Sequence, residues 1–436
     1  MKKFTLYPEY APTSEKWLDN IPSHWIVKPF WSLFKRIKRT GYDKERLLSV
    51  YRDYGVIPKD SRDDNHNRAS EDLSAYQLVE PGDLAINKMK AWQGSVGVSS
   101  YRGIVSPAYF IYKASHNEES RYIHYLFRCD RYISGYLSMS KGIRVNQWDL
   151  DPDNHARMPV VLPPLDEQQE IVGVLDRETT RIDALIAKKT RFIELLKEKR
   201  QAVITKAVTK GLDDSVEMKD SELKWLGRVA KHWSIMACKY GCSLITDGTH
   251  LPPARVVEGV PLLSVRNVQD GQFGFRSDDS MISEDDYIEL CRSFKPMEND
   301  VLLAIVGATI GKTAVVPENM GRFHIQRSLA VFRFKESLNY LFMNFVFQSS
   351  GYQQLLWEGI GFSAQPGIYL GTLSNFRIPV PPLGEQLKIV EYLVKKCQRT
   401  DALKAKTERS IELLKERRAA LITAAVTGKI DVREAT

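Results

Sequence analysis

The chain lacks long hydrophobic runs and has few residues of the kinds that build disulfide or metal sites. No apolar stretch approaches the roughly 20 residues that span a bilayer, and the start MKKFTLYPEYAPTSEKW has no apolar region of the kind found in a secretory signal. Five cysteines are scattered over 436 residues, which argues against a disulfide framework. Cys238 and Cys242 have no second Cys or His pair at zinc-ligand spacing. We therefore expect a cytoplasmic protein with reduced thiols.

The sequence patterns of common catalytic centres are also missing. There is no Gly-x-Ser-x-Gly elbow, no His-Glu-x-x-His and no Asn-Pro-Pro-Tyr or Asp-Pro-Pro-Tyr of an amino-methyltransferase. The stretch AIVGATIGKT (304–313) comes close to a Walker A loop. However, only three residues separate Gly307 from Gly311, and the chain has no clear Walker B strand. We interpret the stretch as a strand, a glycine turn and a second strand, and we expect no catalysis, no metal site and no cofactor in this chain.

The composition is that of a globular protein with a basic excess. Hydrophobic residues make up 43% and charged residues 27% of a chain long enough for two or more domains. The formal net charge is +8 and the pI about 9.0. Such an excess favours polyanionic partners, with nucleic acid first among them.

The sequence contains a long internal repeat. Residues 191–211 align without gaps to 409–429, 218 positions later, and 162–175 align in the same way to 380–393. Upstream, KWLDNIPSHW (16–25) corresponds to KWLGRVAKHW (224–233), and we call these two stretches the Trp segments. The bodies between these anchors are divergent. Two copies of this length predict a pseudo-twofold molecule with two unlike bodies.

Each repeat ends in a predicted long helix. Pro163 and Pro164 precede the first one, Asp166 is placed to cap a helix from 167, and no proline interrupts the sequence as far as Thr209. Apolar residues recur every seven positions, as in a coiled coil, and one position is polar in both copies (Lys189 and Thr407). The stripe consists of Leu175, Ile182, Leu196 and Val203 in the first copy and Leu393, Leu414 and Leu421 in the second.

The two bodies mix predicted strands and helices in the same order. Residues 300–317 and 82–99 each read as strand, glycine turn and strand, with Gly94 in the place of Gly311, and only the second copy has a lysine directly after this glycine. Residues 337–359 and 120–137 each read as a helix. We predict an α+β fold in which two mixed recognition domains form a tandem pseudo-twofold repeat, separated by two long antiparallel coiled-coil-like helices. The predicted boundaries are 1–160 and 222–378 for the domains, 161–210 and 379–428 for the central and distal helices, 211–221 for a linker and 429–436 for a tail.

Several polar and basic groups are candidates for contact with DNA. The stretch KPFWSLFKRIKRTGYDKERLL (28–48) interleaves basic residues with Phe30, Trp31 and Phe34, and its alternative interpretation is a basic helix face over an aromatic core. Lysine and arginine neutralise phosphates, and Arg, Asn and Gln read base edges. The candidates in the first body are Lys35, Arg36, Lys38, Arg39, Lys88, Lys90, Trp92, Arg144, Asn146 and Gln147. Those in the second are Thr246, Asp247, Thr249, His250, Arg266, Asn267, Lys312, Gln326, Arg327 and Gln365.

The chain resembles the specificity subunits of Type I restriction–modification enzymes. The motifs that carry the resemblance are PPLDEQQEIVGVLDRETTRIDALI, PPLGEQLKIVEYL and IELLKERRAALITAAVTGKID in the helices, TDGTHLPP, GVPLLSVRNV, GATIGKTAVVPE, HIQRSLAVFRF and GFSAQPGIYLGTL in the second body, and GDLAINKMKAWQGSVGV and GIVSPAYFIYK in the first. Together they cover nearly the whole chain.

The resemblance implies a non-catalytic DNA-recognition subunit. Each body would read one half of a bipartite, asymmetric site in double-stranded DNA, and the helices would space the two bodies. Two modification subunits that bind S-adenosylmethionine and methylate adenine would dock on this scaffold, and restriction subunits that use ATP and magnesium would join them. Two alternatives stay open: a recognition module of a fused single-effector nuclease–methyltransferase, and a protein-interaction scaffold that does not touch DNA. The neighbouring genes and a mobility-shift assay distinguish them.

Overall fold

The chain folds into two compact units. The computed structural model describes residues 4–52, 54–62, 69–144, 147–251, 253–269, 271–360 and 366–433. Unit 1 comprises Met1–Thr190 and Arg409–Thr436, and unit 2 comprises Arg191–Glu408. The two long helices are the central helix, Leu165–Lys210, and the distal helix, Leu383–Val426. One part of each helix belongs to unit 1 and the other part to unit 2. Within the described ranges, no helix is long and apolar enough to cross a membrane.

An antiparallel sheet of four strands lies at the centre of unit 1. Because successive strand residues face opposite sides, Leu84 and Ile86 pack with Phe127 in the main core, whereas Ala85 packs in a smaller cluster on the other face. The strand order is Phe34–Ile37, Tyr109–Ala114, Leu84–Asn87, Val96–Val98. Paired strands outside this sheet are Tyr10–Ala11 with Ile21–Pro22, Ile26–Pro29 with Pro159–Leu162, Leu48–Tyr51 with Gly55–Pro58, Gln77–Val79 with Gly103–Val105, and Ser140–Arg144 with Gln147–Leu150. The short helices are Phe30–Leu33, Ser120–Arg128, Asp130–Ser138 and Pro152–Ala156.

Unit 2 repeats this sheet and extends it by two strands. Val301 and Leu303 face the main core with Phe332, and Leu302 and Val331 face a second cluster. The strand order is Cys242–Asp247, Leu329–Phe334, Val301–Ala304, Thr313–Val315, Gln272–Phe273, Val268–Gln269. Smaller sheets contain Met218–Asp220 with Arg228–Ala230, Ser234–Ala237 with Arg377–Val380, and Val260–Leu263 with Met281–Ile282 and His324–Ile325. The helices are Cys238–Gly241, Glu284–Ser293, Tyr340–Gln348, Ser350–Glu358 and Leu370–Asn375.

In unit 1, the beginning of the central helix packs antiparallel against the end of the distal helix. Leu175 and Val426 share the main core. Further along the central helix, Asp183 Oδ1 accepts a hydrogen bond from Arg418 Nε at 3.0 Å, eight residues back from Val426 on the distal helix. The contacts therefore move towards the C-terminus of the central helix as they move towards the N-terminus of the distal helix, so the two segments are antiparallel.

In unit 2, the end of the central helix packs antiparallel against the beginning of the distal helix. Val208 and Ile389 lie in the same core, and Arg200 Nε lies 3.4 Å from Asp401 Oδ1. Arg200 and Asp401 are the counterparts, in the repeat, of the arginine and aspartate that pair in unit 1. The predicted α+β fold with tandem bodies and two long antiparallel helices is confirmed.

The predicted apolar stripe faces inward along both long helices. Its buried members are Leu175, Ile182, Leu196 and Leu393, and its half-buried members are Val203, Leu414 and Leu421. The predicted start of the central helix, at 167, lies two residues after the observed start. The helix begins at Leu165, directly after the two prolines, and Asp166 lies in its first turn rather than capping it.

The helix predicted after the central sheet of each unit is two helices. Cys129 in unit 1 and Ser349 in unit 2 have extended backbones, with ψ of 156° and 145°, and a new helix starts directly after each. Ser349 Oγ donates to Val346 O at 2.6 Å and so satisfies a carbonyl at the end of the preceding helix. Neither break involves proline or glycine, which is why the apolar pattern did not reveal it.

Candidate nucleic-acid interface

The strand–turn–strand motif of unit 1 presents basic and aromatic side chains. We call residues 88–95 the Trp92 turn. Lys88 N donates to Ala108 O at 3.0 Å, and Gly94 has a φ of +87°, a left-handed conformation that favours glycine. Lys90 is exposed and Lys88 is half-buried. Trp92 Nε1 donates to Met89 O at 3.1 Å, which fixes the indole ring on the turn.

A β-hairpin lies against the Trp92 turn. Leu150 N donates to Lys88 O at 2.9 Å, and the rings of Trp148 and Trp92 lie 5.8 Å apart at 31°. The backbones of Arg144 and Gln147 pair across the end of this hairpin. Asn146 lies outside the described residues. The structure thus places the backbones of two candidate residues, Arg144 and Gln147, in a hairpin that contacts Lys88 and Trp92.

The basic stretch at 28–48 is one helical turn followed by a strand, not a basic helix face. Lys35 and Lys38 are exposed, and the Arg36 guanidinium lies 4.1 Å from the centre of the Phe110 ring. Arg39 is bound to the carboxylates of Glu80 and Asp83. Burial raises the pKa of Asp83, and Arg39 opposes that rise. Arg39 therefore holds the start of a core strand, while its three basic neighbours are available to a ligand.

In unit 2, the TDGTH loop packs against the loop that carries Gln326 and Arg327. A side chain on Gly248 would meet the backbone of Gln326 at about 2.4 Å, so only glycine allows this approach. Thr249 N donates to Ile325 O at 3.0 Å, and Arg327 N donates to Thr249 O at 3.1 Å. Thr246 and Asp247 end the preceding strand, and His250 Nε2 lies 2.9 Å from Asp247 Oδ2. Six of the predicted residues therefore lie at the end of this strand and on two adjoining loops.

Two further candidates of unit 2 differ in their accessibility. Arg266 is exposed and pairs with Asp278. Asn267 is 3% exposed, and its amide bonds to Gly274 O at 3.0 Å and to Asp279 at 2.8 Å. The structure thus corrects the expectation for Asn267, because a buried side chain with internal partners supports its loop and does not face a ligand.

The turn that resembles a Walker A loop joins two antiparallel strands, as we predicted. We call residues 305–312 the Lys312 turn. Gly311 has a φ of +91°, close to that of Gly94 in the Trp92 turn, and its carbonyl accepts from Gln353 Nε2 at 2.8 Å. Lys312 is exposed. Val306 forms a β-bridge with Gly367, and Gln365, nearby in sequence, lies outside the described residues. The two units therefore carry corresponding turns with different side chains.

No cluster of His, Cys, Asp or Glu in the described part of the chain has the form of a metal site. All five cysteines are free, and four of them are buried. The thiols of Cys238 and Cys242 lie 4.0 Å apart in the core of unit 2.

Each unit also exposes a matching pair of leucines on its long helices. In unit 1 these are Leu185 and Leu413, which are 39% and 49% exposed, and in unit 2 they are Leu403 and Leu195, which are 40% and 46% exposed. Leu185 corresponds to Leu403 in the repeat, and Leu195 to Leu413. These residues were not among the predicted ones, although the recurrence of exposed leucines outside the buried stripe is a signal in the sequence.

Comparisons with known proteins find Type I specificity subunits among sequences and a similar fold among solved structures. The sequence model of the Type I restriction modification DNA specificity domain matches residues 258–413. The Type I restriction enzyme MjaVIII specificity subunit of Methanocaldococcus jannaschii is 26% identical over 71% of this chain and 70% of its own length. The putative type I restriction enzyme MjaX specificity subunit of the same organism is 25% identical over 83% of this chain and 81% of its own length. One solved chain comes from work on the complex assembly and conformational transition of the type I R-M system. It has a TM-score of 0.70 at 17% identity, over 94% of this chain and 99% of its own length.

The duplicated α+β frame, with unlike turns on like strands and two long helices, defines a two-bodied scaffold, and the solved chain shares this fold. The matched domain and the similar curated subunits indicate a Type I restriction–modification specificity subunit.

Proposed function

We propose that the chain is the DNA sequence-specificity subunit of a Type I restriction–modification system. Each unit binds one half of a bipartite, asymmetric target in double-stranded DNA. The observation that carries this proposal is the pair of corresponding turns: the same strands support the Trp92 turn in unit 1 and the Lys312 turn in unit 2. Like frames with unlike side chains suit the reading of two different half-sites.

The exposed charges of the two units suit a DNA backbone. In unit 1, Lys35, Lys38 and Lys90 are exposed, and in unit 2 Lys312 and Arg327 are exposed. Lysine and arginine contacts to phosphate release counterions, so binding weakens as salt rises. In unit 2, the polar side chains of Thr249 and Gln326 lie beside Arg327 and can reach base edges. Such amide and hydroxyl groups supply sequence discrimination that lysines cannot.

The exposed leucines suit two copies of one partner. The pair Leu185 and Leu413 recurs as Leu403 and Leu195, and a repeated surface binds the same partner twice. We propose that two modification subunits dock there and that restriction subunits join the assembly. S-adenosylmethionine, ATP and magnesium belong to these partners, which methylate adenine and cut DNA. The family of this chain provides specificity rather than catalysis, and with its partners the chain works on DNA in the cytoplasm.

A mobility-shift assay over a range of salt concentrations tests the DNA-binding part. The probe is target DNA, identified by methylation-sensitive sequencing of the host genome, and the protein is the chain assembled with its modification subunits. Replacing Lys88 and Lys90 by alanine should weaken binding and reduce the slope of log affinity against log salt by up to about 2, or about 1 for each phosphate contact. Lys197→Ala, on the exposed side of the central helix, is the matched control. Unchanged affinity and slope in the turn variant would contradict the placement of DNA, and an assembly that binds no DNA would favour the protein-scaffold alternative.

Native mass spectrometry tests the docking part. Arginine at Leu185 and Leu413 places two charges on one of the two repeated surfaces, and the assembly should then hold one modification subunit instead of two. Arginine at the neighbouring exposed Lys188 is the control. Two bound copies in the leucine variant would show that the partners dock elsewhere.

A further inference from the structure

Unit 1 contains a cavity of about 560 Å³ beside the Trp92 turn. Its walls come from the strand Leu48–Tyr51, from the turn, from Tyr109 and from Ile133 of the helix Asp130–Ser138. Small-molecule pockets span roughly 300–1,000 Å³, so the cavity can hold one nucleobase with its sugar. We propose that this cavity captures a single DNA base that has left the base stack. The inference rests on the proposed function, because the base is supplied by the DNA that unit 1 binds.

Three aromatic rings line the cavity and suit a flat ligand. They belong to Tyr51, Trp92 and Tyr109. Trp92 is held in place by its hydrogen bond to Met89 and by its packing against Trp148. Stacking of a base on a fixed aromatic ring is favourable for every base, since each base has a π-face.

The wall also carries a polar group without a partner. The hydroxyl of Tyr51 is buried, and within the described residues it has no hydrogen-bond partner. A buried polar group without a partner is costly, and native proteins rarely retain one without a reason. The amides of Asn87 and Gln93 lie on the same wall. Hydroxyl and amide groups match the donors and acceptors on the pairing edge of a base, which is exposed only when the base is outside the helix.

Basic side chains lie at the border of the cavity. Arg52 and Lys90 line it and are exposed to solvent, which suits the phosphates on either side of a displaced nucleotide. A concave site of this kind does not fit the edges of stacked base pairs, which remain inside the grooves. A free nucleotide shares the chemistry of a displaced base, and the experiment below separates these two sources.

The corresponding region of unit 2 is built differently. Gln353 takes the place of Ile133, and its amide donates to Gly311 O at 2.8 Å and to Phe347 O at 2.7 Å. A polar side chain that is bonded to the turn thus stands in unit 2 where the apolar side chain of Ile133 lines the cavity in unit 1. Base capture is therefore assigned to unit 1.

Binding of the full chain at low salt to three labelled duplexes tests the inference. One duplex is fully paired, the second has one extra unpaired nucleotide, and the third has an abasic residue in that extra position. The second and third differ only in the extra base, so the ratio of their affinities reports that base. We expect the base-bearing bulge to bind at least about fivefold tighter than the abasic bulge, the factor that corresponds to weak base–aromatic stacking.

Variants locate the effect. Trp92→Ala should bring the ratio of affinities close to one, Trp92→Phe should retain most of it, and Tyr51→Phe should change which of the four bases binds best. Trp31→Ala removes an exposed tryptophan of the same unit and should leave the ratio unchanged. Circular dichroism verifies that each variant is folded.

Four outcomes would overturn the inference. Equal affinity for the two bulged duplexes, or a ratio that survives Trp92→Ala, defeats base capture while the DNA-binding proposal stands. Quenching of tryptophan fluorescence by deoxynucleoside monophosphates, combined with a ratio of one, makes the cavity a free-nucleotide site and defeats DNA as the source. Failure to bind any of the three duplexes defeats the proposed function and this inference together.

Discussion

Trp25 donates its indole N–H to Glu167 Oε1 at 3.0 Å, joining the Trp segment of unit 1 to the first turn of the central helix. Trp233 makes the same bond to Glu385 Oε2 at 3.1 Å in unit 2. The glutamates are identical in chemistry but not in surroundings. Tyr7, His24 and Arg433 also contact Glu167, whose side chain is 2% exposed, whereas that of Glu385 is 27% exposed. The same repeated bond is therefore buried in one unit and partly hydrated in the other.

This difference predicts unequal effects of the same substitution. In Glu167→Gln, one of two buried oxygens that accept hydrogen bonds becomes an amide donor and meets a donor, and Arg433 keeps only Asp431 as a charge partner. We expect a loss of about 2 kcal/mol in the free energy of unfolding. Glu385→Gln should cost less, because water can replace the lost contact. Urea unfolding measures both, and equal losses would contradict the role given to burial.

The neighbouring glutamines predict a loss of stability at both sites and the larger loss at Gln168. Gln168 Oε1 accepts from Glu119 N at 2.9 Å and its amide donates to Pro163 O at 2.9 Å, and Gln386 makes the corresponding bonds to Asn339 N and Pro381 O at 2.8 Å each. Both side chains are fully buried.

Replacing either glutamine by glutamate turns a donor into an acceptor that faces a carbonyl. At Gln168 the new carboxylate also faces Glu118 Oε2, to which the Gln168 amide donates at 2.7 Å. Gln386→Glu should lose about 2 kcal/mol in unfolding free energy, and Gln168→Glu should lose more. Gln169→Glu, at the adjacent exposed position, should be nearly neutral. A loss at Gln386 as large as that at Gln168 would contradict the effect of the second carboxylate.

Buried histidines predict a loss of stability in mild acid. Burial lowers the pKa of His124 and of His155 to about 3, from 6.5 in the unfolded chain. The unfolded state therefore binds protons first, so stability is complete above about pH 6.5 and falls as the pH decreases towards 3.

His155 packs against Phe30 with 4.2 Å between ring centres, so His155→Phe keeps an aromatic ring there and removes the titrating group. The decrease in unfolding free energy between pH 7 and pH 5 should become smaller by roughly 2 kcal/mol. His250→Phe, on an exposed loop, is the control. An unchanged decrease in the His155 variant would disprove the assignment.

Lys312 is predicted to have no part in nucleotide hydrolysis. It is exposed on a turn between antiparallel strands, and the corresponding Trp92 turn has no lysine at that position. Lys312→Ala in the assembled enzyme should leave the ATPase rate at saturating DNA essentially unchanged, while DNA affinity falls. Loss of ATPase activity at unchanged DNA affinity would restore the phosphate-loop interpretation.

The sequence predicted the features that depend on repetition and local pattern. The duplicated Trp segments, the two long helices and the glycine turns all carry their signal within a few residues, such as Gly94 and Gly311. Their placement in the structure agrees because repeated side chains meet corresponding partners, as Trp25 meets Glu167 and Trp233 meets Glu385.

Features that depend on distant partners could not be predicted. Arg39 resembles its basic neighbours in sequence, and only folding brings Glu80 and Asp83 to it. Asn267 is part of a polar island in sequence, yet it is buried by residues further along the chain. The cavity beside the Trp92 turn combines segments from 49 to 133, and no local pattern marks it.

Exchange of the second body tests the central claim most directly. Residues 222–378 are replaced by the matching body of a relative with a different target, and the methylated motif is read by sequencing of DNA modified by the assembled enzyme. Since each unit reads its own half-site, one half of the motif should change while the other half stays the same. A change in both halves, or in neither, would contradict the assignment of one half-site to each unit.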